Sequence, residues 1–355
     1  MTPVFRFAHM LGRIDAGWRF ASADLRRFTA LALIRDVWDI VRRDAGPGHV
    51  GPAHEASSTH ILFTEDPRRD AVLLWLADHA APVLREAAAW MARMVDAETR
   101  FGTADLALLE VAGGALAAPV AGPVTAALGP DSGMMLTTVA GAVDRLRVVP
   151  DFLEAEDGGL VRPLAGAPVR HRVAAPSPGA AWALNLAMLA DPRVTGGAPP
   201  PIGIVSRALF HGLADADAVA GQLMTDAVSA GERTYRRLLT LNDELARGGA
   251  ALAHLSRNAR ARDAWGVVAA LQMLTRRQLA HALALSRGGA DMQMRALAGA
   301  GLATLQPGGV IDYALPEPGP PAPTDASSLA HAVEAIDRDL AAIAHLYERQ
   351  KQKEA

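Results

Sequence analysis

Residues 274–313 read LTRRQLAHALALSRGGADMQMRALAGAGLATLQPGGVIDY. Thr275 stands three residues before Gln278, the spacing of a capping box, so a helix is predicted to begin there. Leu279, Ala282 and Leu283 recur at three- and four-residue steps and therefore share one buried face. Leu285 and Ser286 mark a break, and Ser286 is placed to cap a second helix from about Arg287 to Ala298. In that helix Ala290, Met294 and Leu297 fall inward and Arg287, Asp291 and Arg295 outward. Gly299 and Gly301 end it, either being able to take the left-handed conformation of a helix stop. Ala303 to Leu305 and Val310 to Tyr313, joined by Gln306-Pro307-Gly308-Gly309, then have the pattern of a β-hairpin.

Charge singles out the same region. The chain of 355 residues has a net charge of −3, yet seven arginines (257, 260, 262, 276, 277, 287 and 295) face only Asp263 and Asp291 between Leu255 and Ala303. That segment carries +5 and the remainder −8. A basic island on an acidic chain is the electrostatic footprint of a module that meets nucleic acid. It is also what a solvated face looks like in an arginine-biased proteome. All but two of the 35 basic residues are arginine, the exceptions being Lys351 and Lys353, a bias typical of GC-rich bacterial coding.

Half of the residues are hydrophobic and only 5% aromatic, which describes a helical protein with a core of Ala, Leu and Val. No cysteine occurs, which removes disulfides, thiolate catalysis and cysteine-based zinc sites, and fits a cytoplasmic location. The charge-free window from Val111 to Leu128 is mostly Ala and Gly and contains Pro119 and Pro123. A spanning helix needs about 20 strongly apolar residues, so a buried, proline-broken helical hairpin is expected and no membrane partner.

The order of the remaining elements is legible in part. Residues 1–21 are indistinct. Ser22-Ala23-Asp24 opens a helix with Phe28, Leu31, Ile34, Trp38 and Val41 on one face. His49 to Thr64 is loop-like; its His49, His54, Glu55 and His60 lack the spacing of a zinc protease helix. Residues 66–98 read as a helical pair, with Trp75 and Trp90 in its core. Beyond it comes the Ala/Gly-rich region, a helix from Met134 to Leu146, and a hairpin pairing Asp151–Ala155 with Leu160–Leu164. This order repeats that of 274–313, so a degenerate second copy at 104–165 is conceivable. Ala180 to Leu189 is a short helix, and Ile204–Leu213, Ala216–Ala227 and Ser229–Leu252 are helical.

These boundaries define a helical N-terminal domain at 1–190, a linker at 191–201 and a helical connector at 202–254. The basic module follows at 255–315, then a proline-rich spacer at 316–327 and a C-terminal helix at 328–355. That last helix places Leu329, Val333, Ile336, Leu340, Ile343 and Tyr347 at heptad steps. Either Ser229–Leu252 or Leu329–Tyr347 is available for a homodimer.

Most catalytic chemistry is missing. There is no lysine before 351 to complete a phosphate-binding loop, Gly196-Gly197 and Gly288-Gly289 lack the dinucleotide spacing, and no nucleophile elbow occurs. No cofactor or metal is called for.

The arrangement from Arg262 to Tyr313 resembles winged helix domains of bacterial transcription regulators. More loosely, Ile202 to Tyr313 is similar to the C-terminal part of proteobacterial proteins related to Fic proteins, which end in a helix-turn-helix DNA-binding domain. The Fic catalytic motif, from His-Pro-Phe to Gly-Asn-Gly-Arg, is absent, so the resemblance implies no AMP transfer. Gly288-Gly289 is a departure, because such proteins place polar groups there and each glycine costs about 1 kcal/mol of helix relative to Ala.

The expected fold is therefore mainly α, a multi-helix N-terminal domain followed by a winged helix-turn-helix with a small β-hairpin wing. The expected function is DNA binding in transcription regulation or in plasmid or mobile-element replication. Arg287, Asp291 and Arg295 would face the major groove, and Arg276 and Arg277 would hold phosphates. The alternatives are a helical scaffold that uses the same module to bind protein, and an enzyme with a site assembled near His49–His60.

Overall fold

A computed structural model describes residues 3–44, 60–64, 67–96, 135–148, 159–161, 172–174, 181–190, 198–210, 216–255, 260–315 and 338. Its secondary structure is mainly helical. The helices are α1 (Pro3–Phe20), α2 (Ala23–Asp44), α3 (Pro67–His79), α4 (Pro82–Asp96), α5 (Met135–Leu146), α6 (Ala181–Ala190), α7 (Ala216–Ala251), α8 (Ala261–Leu271), α9 (Arg276–Leu283) and α10 (Arg287–Gly299). Strands β1 (Gly159–Val161) and β2 (Arg172–Ala174) pair antiparallel, and β3 (Met273–Thr275), β4 (Ala303–Gln306) and β5 (Val310–Tyr313) form a second sheet in the order β3-β5-β4. No helix among the described residues is long and apolar enough to cross a membrane.

Helix α2 is central. Phe28, Leu31, Ile34, Trp38 and Val41 are all buried, as their spacing requires, and the Ser22 hydroxyl accepts from the Leu25 amide at 3.1 Å. Helices α4, α6, α7 and α8 all pack on it. Its Phe28 reaches so near α8 that a Cβ on Gly266 would lie 2.2 Å from the ring. Along α7 lies α1, with Gly17 admitting Leu238 and Gly231 admitting Met10, each 2.7 Å from where a Cβ would stand.

One buried hydrophobic cluster runs from Phe7 to Ile311, so the core is shared across the expected linker at 191–201. Pro199, Pro200 and Pro201 are themselves buried. Of the stripe Leu238, Leu241, Leu245 and Leu252, which the sequence places on one face of this helix, all but the half-buried Leu245 are buried within their own chain, where α7 packs against α1, α2 and α8.

The structure corrects several local expectations. The indistinct start is the helix α1, whose Phe7, Met10, Ile14 and Trp18 are buried at helical spacing. The two helices expected at 216–227 and 229–252 are the single 36-residue α7, because nothing between Ala227 and Ser229 breaks the backbone. Of the helix expected at Ile204–Leu213, the described residues 204–210 form only a 3₁₀ turn at Arg207–Leu209. The buried Asn185 explains this. Its side chain donates to the Val205 carbonyl at 2.8 Å and accepts from the Val205 amide at 3.2 Å, occupying the groups a helix would use. Leu160 pairs with Val173, and the 151–155 segment expected to face it lies outside the described residues. Of the repeat at 104–165 only 135–148 and 159–161 are described, and of the C-terminal helix at 329–347 only 338; the 111–128 hairpin lies outside the described residues.

Candidate nucleic-acid interface

The C-terminal head is assembled in the order α8, β3, α9, a tight turn, α10, β4, β5. Both predicted caps form. The Thr275 hydroxyl accepts from the Gln278 amide at 3.1 Å while the Gln278 side chain accepts from the Thr275 amide at 2.8 Å. The Ser286 hydroxyl accepts from Gly289 at 3.1 Å. Helix α9 stops at Ala284, which takes a left-handed φ of 52° without being glycine. Gly301, Gly308 and Gly309 all have positive φ, the last two in the three-residue turn that joins β4 to β5. Strand β3 escaped sequence reading because three residues are too few to show alternation; Leu274 pairs with Ile311 across from the predicted hairpin.

One side of this head is fastened to the body. The Trp90 indole on α4 donates to the Ala282 carbonyl at 2.8 Å, and the Gln278 amide nitrogen donates to the Leu62 carbonyl at 2.9 Å. His60 donates from Nε2 to the Leu271 carbonyl at 2.7 Å and accepts at Nδ1 from the Leu62 amide at 3.2 Å. Both of its ring nitrogens are therefore engaged, and burial pushes its proton affinity below the ordinary histidine value. His49 and His54 lie outside the described residues, among which no cluster suited to a metal ion occurs.

The long helix α7 holds the head from another side. The Glu244 carbonyl accepts from the Trp265 indole at 2.6 Å and its carboxylate from the Tyr313 hydroxyl at 2.8 Å. Arg247 pairs with Glu244 at 2.6 Å and lies over the Trp265 ring, itself stacked on Tyr313 with centroids 5.7 Å apart. Burial and the Glu244 bond push the Tyr313 hydroxyl up to about 12. No sequence pattern announced this cluster, since Glu244 stands 21 positions from Trp265 and 69 from Tyr313.

The face left open is a groove of about 700 Å³ bounded by α9, the start of α10 and the Gly308–Gly309 turn. Arg276, Arg277, His281 and Arg287 line it. The expected site residues divide into two groups. Arg276 donates from the single nitrogen Nη1 to both carboxylate oxygens of Asp291 at 2.9 and 3.0 Å, and its amide donates to the Gly309 carbonyl at 2.8 Å. This pair ties α9, α10 and the turn together and cancels its own charge. Arg277, Arg287 and Arg295 are exposed and have no ion pair among the described residues. Arg277 and Arg287 border the groove; Arg295 stands two turns further along the open side of α10, outside it. Arg260 is engaged with Asp263 at 2.9 Å.

Around Gly288 a Cβ would meet nothing within 4 Å, so the first turn of α10 is open to an approaching backbone or phosphate. Its uncapped amides and dipole favour an anion there. The chain matches no protein-family model, no curated protein and no solved structure.

Proposed function

We propose that the C-terminal head is a winged helix-turn-helix that binds duplex DNA, with α9 and α10 as the two helices and β4–β5 as the wing. In such motifs the second helix enters the major groove and its N-terminal residues reach base edges. Here that helix is α10, whose start is open and capped while α9 is covered by α4. The observation that carries the reading is the pair of unpaired guanidinium groups, Arg277 and Arg287, at this exposed helix start, with that of Arg295 two turns further along α10. Arg277 would hold the phosphate backbone, and Arg287 and Arg295 would face bases or flanking phosphates.

Three neutralised phosphates correspond to a log–log salt slope of about −2.7, a loss of about fortyfold in affinity from 50 to 200 mM salt. Fluorescence anisotropy with a random-sequence duplex measures this directly. Absent or salt-independent binding by folded protein defeats the proposal.

A second reading, a protein-binding scaffold, draws on Met292 and Leu305, which are 63% and 46% exposed on α10 and β4. Light scattering beside the DNA assay separates the two, because a stable oligomer indifferent to DNA favours the scaffold.

A further inference from the structure

We propose that the cleft between α2, α7 and the 202–208 segment binds a small hydroxylated molecule carrying two or more phosphate or carboxylate groups. The cleft measures about 850 Å³, within the size range of small-molecule sites, and shares no lining residue with the groove on the head.

Its charge is built from arginines that the protein neutralises only in part. Arg207, Arg233 and Arg236 line the cleft and have no ion pair among the described residues. Arg237 reaches Asp36 at 2.9 Å through one terminal nitrogen, leaving its buried Nε without a hydrogen-bond partner. Beside it Arg35, with 9% of its side chain exposed, lies 3.8 Å from the same carboxylate oxygen and keeps Nη1 buried and unpartnered. Arg35 lies behind the wall rather than in it; among the lining residues Asp36, Asp39 and Asp226 offset three of the four arginines, so a surplus of one positive charge remains.

Hydrogen-bonding groups stand unmatched in the same wall. The Ser206 hydroxyl is buried without a partner, and it does not cap the 3₁₀ turn that follows it. Asp226 accepts from Gln222 at 2.8 Å through one oxygen, and its other oxygen is buried and unpartnered. Buried polar atoms are normally satisfied, and a set of them around one cleft points to a ligand that supplies the missing groups.

The cleft is also held in shape. Asn185 clamps Val205 through both its amide and its carbonyl, fixing the segment that carries Ser206 and Arg207. Gly203, at φ 82°, lets that segment close on α2 and α7; a Cβ there would stand 2.9 Å from Ile40 and 3.2 Å from the Arg233 guanidinium. Such preorganisation lowers the ordering cost of binding.

The lining defines the ligand class. Guanidinium forks match phosphate and carboxylate oxygens in pairs. No aromatic ring lines the cleft to stack a nucleobase. Ser206 and Asp226 suit hydroxyls on the body of the ligand. The three aspartates disfavour a continuous phosphate backbone, which separates this site from a DNA track.

Isothermal titration of the full chain at fixed chloride, with inorganic pyrophosphate, a sugar bisphosphate and citrate as probes, tests the assignment. At least one probe should bind saturably at one site per chain with a Kd of about 1 mM or lower. The exposed pair Arg233→Ala/Arg236→Ala should weaken that binding at least tenfold at an unchanged circular dichroism spectrum. Ser206→Ala should weaken it less, and Arg287→Ala on the head should leave it intact. The proposal is overturned if no probe saturates, if the double variant binds as the parent does, or if Arg287→Ala is the change that abolishes binding. It is equally overturned if the double variant loses duplex DNA while no small anion binds the parent.

Discussion

Removing the Asp291 carboxylate should strengthen DNA binding, although it destroys an ion pair. Asp291 holds Arg276 at 2.9 and 3.0 Å, with both side chains 29% exposed. In Asp291→Ala the guanidinium of Arg276 stays beside the Gly308–Gly309 turn but loses its fixed counter-charge. It then becomes a fourth cation on the groove beside Arg277, Arg287 and Arg295. The salt slope should steepen from about −2.7 to about −3.6. Between 50 and 200 mM salt the affinity would then fall about 150-fold, where the parent loses about fortyfold. A pair this exposed contributes about 0.2–1 kcal/mol to stability, and Ala offsets part of that as a better helix former. The variant should accordingly stay folded. The assay is anisotropy on one random duplex over a series of salt concentrations, repeated with Asp291→Ala/Arg276→Ala. That double variant should return the slope to the parent value. An unchanged or shallower slope in Asp291→Ala would show that Arg276 already contacts phosphate or that the groove does not face DNA.

Three further changes probe how the head is held. Gly248→Ala places a Cβ 1.9 Å from Trp265 Cδ1, and overpacking of this kind should lower stability by about 1–3 kcal/mol in urea unfolding. Tyr313→Phe removes the 2.8 Å bond to Glu244 and should cost about 0.5–1.5 kcal/mol near neutral pH. Because the folded hydroxyl is raised from 10.0 to about 12, the parent's contribution from this group is complete below pH 10 and is lost as pH climbs towards 12. Tyrosinate absorbance should therefore show one late-titrating group that is missing from the variant. His60 is depressed from 6.5 by burial, so the unfolded chain takes up its proton first and stability should fall as pH drops below 6.5. The urea midpoint at pH 7.5 and 5.5 tests this; His60→Gln should flatten the difference.

Local signals carried the head far and the body less well. Caps and turns depend on a few adjacent residues, so Thr275 with Gln278, Ser286, and the Gly308–Gly309 turn could be placed by inspection. The inward set Ala290, Met294 and Leu297 followed from helical spacing and is buried. What inspection missed was every feature decided by a distant partner. Asn185 diverts the 204–206 backbone from helix, and Ile311 gives Leu274 a strand to join. The site shows the same division. Five residues were named from one helix pair, but only packing reveals that Arg276 and Asp291 bind each other, as an internal fastener.

That fastener bears on what kind of reader the head would be. A domain on a free linker can rotate to meet its target, but this head has its own interior joined to the body through Trp90, Gln278, His60 and the Glu244–Tyr313–Trp265 cluster. Breaking those contacts exposes apolar surface of one continuous core, so the head cannot swing without partial unfolding. The direction in which α10 points is then set by α2, α4 and α7, and with it the way DNA would approach the protein. The cleft proposed for a small anion lies between two of those same helices, α2 and α7. Helix α7 contributes Asp226 to Thr240 to the cleft wall and, one turn on, Glu244 to Arg247 to the clamp on Tyr313. A ligand that drew α2 and α7 together would thus act on the head through rigid elements, and only differential affinity for two head positions would let it alter DNA binding.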